Sequence, residues 1–78
     1  MVAQADERAF YQIRILGHLD ESWSDNLSGM SISPVPGTTG SQETLLVGEL
    51  ADQAALMGVL NTLYDMGFSL LSVEKVVH

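Results

Sequence analysis

Three observations predict an α+β domain with four strands in one antiparallel-dominated sheet and its helices on a single face. An apolar run over Thr44–Leu50 is followed by a capped amphipathic segment and then by a second apolar run toward the end of the chain, the pattern of strand, helix, strand. Upstream, Tyr11, Ile13 and Ile15 alternate with Gln12 and Arg14, as a half-buried strand requires. Between these blocks, Asp20 and Gly29 bracket a short segment with helix start and stop signals, and Met30-Ser31-Ile32-Ser33 then alternates apolar with polar.

Taken in order, residues 1–9 are polar and small and read as a flexible N-terminal segment, and residues 10–78 as one domain. The first strand starts at Phe10 and ends at Gly17. In the segment 19–29, Asp20 is placed as an N-cap with Glu21 in the first turn. Trp23 and Leu27, four apart, fall on one face of a helix of two turns at most, and Gly29 ends it. Pro34 stops the second strand from serving as a central one and puts it at an edge. Residues 34–42 (PVPGTTGSQ) read as a loop, and 34–43 as the most mobile internal stretch, joining strands two and three as a long hairpin.

Asp52 caps the main helix, expected over Gln53 to about Met66 with Gly67 as its stop. Leu56, Val59, Leu60 and Leu63 form its buried stripe, and Leu60 is expected among the most buried residues. Gly58 inside this helix costs about 1 kcal/mol against Ala, for which close approach of helix and sheet is the expected compensation. Phe68 opens the last extended run.

The order β, short α, β, β, α, β is the split βαβ arrangement of the ferredoxin-like sandwich. Right-handed crossovers place strands one and three side by side and parallel, with two and four at the edges. Both helices then cover one face. Leu45 and Val47 lie on one side of strand three, and Leu46 and Leu50 on the other, so the uncovered face also carries apolar side chains: Leu16, Leu46 or Leu45, and Leu70 or Leu71.

Composition narrows the function classes. Three bases (Arg8, Arg14, Lys75) against ten acids give a net charge of −7, which rules against nucleic acid and against an anionic membrane surface as partners. No cysteine is present, so there is no disulfide, thiolate metal site or redox pair. The polar start MVAQADER does not read as a signal peptide and no apolar run spans a bilayer, so a cytoplasmic location is expected. A chain of 78 residues, 46% of them hydrophobic, is small for an unstapled fold, and association with a second copy is expected.

Polar chemistry concentrates at His18, Asp20, Glu21, Trp23, Ser24 and Asp25. One reading makes His18 a base or ligand contact after strand one, oriented by Asp20, with Trp23 as a pocket wall. The other makes His18 a surface turn residue, Asp20 a cap and Trp23 a core anchor. Gly48 within strand three marks either close approach of a ligand or close packing. The candidate catalytic pair is therefore His18 and Asp20, and the candidate ligand-binding set His18, Asp20, Trp23 and Gly48. No metal set and no cofactor motif is expected: the acids lack the calcium-loop pattern, and two histidines without cysteine do not close a zinc site.

The segments GHLDESWSDNLSGMSI (17–32) and LLVGELADQAALMGVLNTLYDMGFSLLSVE (45–74) resemble a group of small uncharacterised bacterial proteins. That group shares a Gly-His-Leu-Asp turn, a Trp-Ser pair, a Gly before Asp-Gln-Ala-Ala-Leu and a Leu-Leu-Ser-Val ending. The resemblance implies a bacterial, cytoplasmic protein and transfers no catalytic residue. By order of elements alone, the chain is also similar to ACT-type regulatory modules, which bind amino acids near dimer interfaces. Three functions follow as expectations: a non-enzymatic homodimeric module that meets itself or a protein partner, a small-molecule sensor with residues 17–23 as a pocket wall, and a small dimeric α+β barrel enzyme using His18.

Overall fold

The computed structural model describes residues 8–37 and 40–76. The elements run β1 (Ala9–Leu16), a 3₁₀ segment (Glu21–Leu27), β2 (Ser31–Pro36), β3 (Gln42–Leu50), α1 (Gln53–Asp65) and β4 (Ser69–Val76). The four strands form one sheet in the order β2-β3-β1-β4, and every pair is antiparallel. The architecture is α+β, and among the described residues the one α-helix follows β3.

The expected neighbours hold, with β3 beside β1 and the other two strands at the edges. The expected parallel sense of β1 and β3 does not. The connection through the 3₁₀ segment brings β2 back parallel to β1, and the tight β2–β3 hairpin reverses the direction once more. β3 must therefore oppose β1, as the pairing of Ala9 with Leu50 and of Leu16 with Glu43 shows.

β1 behaves as its alternation dictates: Tyr11, Ile13 and Ile15 are buried under α1, while Gln12 and Arg14 lie on the other face. The register puts Leu46 opposite both Ile13 and Ile32, so the core crosses the sheet from edge toward edge. Leu45 and Val47 fall on the open face, Leu46 and Leu50 in the core. On β4, Leu70 opposes Ile15 and Ser72 opposes Arg14, which leaves Leu71 as the extra residue of a β-bulge.

The N-terminal expectation shifts slightly. Residues 1–7 lie outside the described ones, but Ala9 is already strand, paired with Leu50. The loop also shrinks. Pro34, Val35 and Pro36 pair with Thr44, Glu43 and Gln42, so β2 continues through both prolines. An edge strand tolerates this because the missing N–H faces away from the neighbouring strand. The turn closes with Gly37 N donating to Ser41 O at 2.8 Å; Thr38 and Thr39, the centre of the expected mobile stretch, lie outside the described residues.

Asp52 caps α1 as expected, its Oδ1 accepting from Ala55 N at 2.8 Å. The helix ends at Gly67 with φ +90°, and Phe68 N returns to Leu63 O at 3.1 Å. Val59 and Leu63 are buried to 2%. Leu60 is only partly buried, because the space beneath it is a hollow rather than packed core. Gly58 faces open space, so it is not held there by close packing against the sheet.

The segment 21–27 is 3₁₀ rather than α. At three residues per turn, positions four apart no longer share a face. Leu27 is fully buried while Trp23 is 42% exposed. Asp20 takes the extended N-cap conformation but makes no side-chain capping bond, and the exit is shared by Ser28 and Gly29, both at positive φ. Leu27 and Met30 join the core beside Val59 and Leu63, so both helical segments do cover one face.

Candidate functional site

β1 ends in a turn at Gly17, whose φ of +109° and closeness to the Phe68 ring exclude a larger residue (a Cβ would sit 3.3 Å from that ring). Gly17 N donates to Gln42 O at 2.8 Å. The fully buried Thr44 then secures the rest of the turn. Its hydroxyl donates to Gly17 O at 2.6 Å and accepts from Leu19 N at 3.1 Å. With Leu19 drawn into the core, His18 points to the surface, where its Nδ1 lies 3.3 Å from Gln42 Nε2.

Asp20 is also exposed, and its carboxylate accepts from Ser22 Oγ at 2.6 Å. It makes no ion pair with His18: among the described residues the one ion pair is Arg14–Glu43, at 3.0 Å, on the face away from α1. Trp23 stands half in solvent, neither a core anchor nor the wall of an enclosed pocket. Gly48 is separate from all three. A Cβ on it would meet Met30 Cα at 3.1 Å and Met30 Cγ at 3.2 Å, so close packing occupies the space that a ligand would need.

The candidate residues therefore split into a surface group and a half-buried packing position at Gly48. His18 has an amide rather than a carboxylate as partner. Among the described residues, no group of three or more His, Asp or Glu side chains could hold a metal ion.

A concave feature lies elsewhere. A hollow of about 250 Å³ opens between the second half of α1 and the sheet, lined by Ile15, Leu60, Leu63, Phe68 and Leu70, with Asn61 and Tyr64 beside them. None of His18, Asp20, Trp23 and Gly48 lines it. Its walls bear no acid and no base, so it suits an apolar group and offers no counter-charge to an ion. One cue to the hollow lies in the spacing: Tyr64 sits four residues after Leu60 and so shares its side of the helix.

A family model described as Domain of unknown function (DUF8691) matches residues 10–74. The chain belongs to this family. The match runs from Phe10 in β1 to Glu74 in β4 and so takes in the turn at His18, the 3₁₀ segment, α1 and the hollow. No curated protein and no solved structure matches the chain. Membership thus assigns no activity to the DUF8691 domain, and its function is unknown. No helix among the described residues is long and apolar enough to cross a membrane.

Proposed function

We propose that this domain is a non-enzymatic, homodimeric interaction or regulatory module. It follows a ferredoxin-like plan whose first helix is reduced to the 3₁₀ segment. The observation that carries the reading is the amount of large apolar side chain left in water beside a sheet whose described helical segments cover one face only. Phe10, Leu16, Leu70 and Leu71 are all exposed, and Leu45 and Val47 lie half-buried on the face opposite α1. A twofold dimer is the simplest way to remove such surface from water. The separation of the candidate residues supports a role without catalysis. The resemblance to small bacterial proteins supports a bacterial, cytoplasmic setting.

The experiment is sedimentation equilibrium at micromolar concentration. A dimer is expected, and a monomer of 8.4 kDa throughout the range would overturn the reading. The hollow favours a second reading, an ACT-like sensor of small molecules. It has less support, because the lining holds no charged partner for the ammonium or carboxylate of an amino acid. Thermal stabilisation on adding a panel of free amino acids would favour that reading.

A further inference from the structure

We propose that the dimer forms by antiparallel pairing of β4 with the β4 of a second copy, giving one continuous eight-stranded sheet. This rests on the homodimer reading and names its interface. The two edges of the sheet are built differently. β2 carries Pro34 and Pro36, and residues two apart direct their N–H positions to the same side, so the outward edge of β2 lacks donors at both places. β4 has eight residues and no proline; among the described residues no strand lies beyond it, and none of its own residues is buried. It presents a row of backbone groups to solvent, and its protection is partial: the bulge at Leu71 and the charges of Glu74 and Lys75, with no proline to remove a donor.

Apolar surface collects at the same place. Leu70 is 51% and Leu71 45% exposed; Leu16, paired with Ser69, is 42% exposed, and Tyr64, beside Leu70 at the hollow, 78%. Charge points to a second copy as the occupant. In a chain of net charge −7, strand β4 carries one acid, Glu74, and one base, Lys75. Two such strands meet without net repulsion between them, although each copy as a whole carries −7. A strand identical in length and sequence also satisfies the outward N–H and C=O groups reciprocally, as a twofold axis requires. The antiparallel sense brings the end of one strand beside the hollow of the other copy and closes it from water.

The absence of cysteine makes the test direct. Single substitutions Ser72→Cys, Val73→Cys and Glu74→Cys on β4 are compared with Ser33→Cys on β2 and Gln12→Cys on the open face, each checked for native circular dichroism. Directly opposed residues of antiparallel strands have Cα atoms about 4.5–5.5 Å apart, which a disulfide spans. Under mild oxidation, the β4 position nearest the axis is expected to cross-link on the order of a hundredfold faster than the two controls, as a held pair exceeds random collision at micromolar protein. Amide exchange over 69–76 in the unmodified protein is expected to slow as concentration rises. A dimer by sedimentation that cross-links through Ser33→Cys or Gln12→Cys, or whose β4 amides exchange at the same rate at all concentrations, overturns this interface and leaves the homodimer reading standing. A monomer overturns both.

Discussion

The hydroxyl of Thr44 donates to the carbonyl of Gly17 at 2.6 Å, joining the start of β3 to the turn that follows β1. The same oxygen accepts from Leu19 N, so one buried side chain satisfies two backbone groups of the turn. Thr44→Val keeps the shape and removes both bonds. It is expected to cost about 1–3 kcal/mol in urea unfolding, because the turn's polar groups lose their partner in a dry site. Thr44→Ser should recover most of this. His18→Ala, at the exposed crest of the same turn, should change stability by about 0.5 kcal/mol or less.

Two glycines should respond to alanine with opposite signs. At Gly58 nothing stands within 4 Å of a new Cβ, and Gly58→Ala should stabilise the domain by about 1 kcal/mol through helix propensity alone. At Gly48 the new methyl meets the Met30 backbone at 3.1 Å, and Gly48→Ala should destabilise by about 1–3 kcal/mol. Paired thermal melts read both signs in one experiment.

Leu63 and Leu60 separate the packed and unpacked halves of the surface under α1. Leu63→Ala removes a side chain that is 2% exposed and should cost about 2–5 kcal/mol. Leu60→Ala enlarges a hollow that is already open and should cost less, about 1–2 kcal/mol. Equal losses in chemical denaturation would mean that the hollow is filled in solution.

Association should strengthen modestly with salt. Each copy carries a net charge of −7, and screening weakens the repulsion between copies while leaving apolar contact in place. Sedimentation equilibrium at low and at physiological ionic strength is the check. A dimer that weakens as salt rises would mean that ion pairs hold it together.

Period-2 alternation made β1 legible in the sequence, since Tyr11, Ile13 and Ile15 had only one way to share a face. Asp52 and Gly67 marked the ends of α1 because a cap and a positive-φ stop are local chemistry. Pro34 marked an edge for the same reason. What failed depended on geometry that residue types do not encode. Trp23 and Leu27 satisfy an α spacing, and the tighter 3₁₀ turn rotated them apart. Leu60 satisfies the helical stripe, yet its burial depends on how closely α1 settles onto the sheet at Phe68. Leu45 and Leu46 are both apolar, so only the pairing of Leu46 with Ile13 decides which of them enters the core. For the candidate site, the sequence placed His18 correctly at a turn. It did not reveal that Thr44, 26 positions away, organises that turn, because Thr in a strand has no distinctive local pattern.

Under the proposed pairing through β4, the prolines of β2 would also limit how far the protein polymerises. A sheet with two adhesive edges grows without end, each added subunit offering a fresh template to the next. Pro34 and Pro36 deny that template on one side, so addition along the other is self-terminating. Crowding the protein is then expected to fill a closed pair and stop, with two residues removing donors from the edge through which further copies would add.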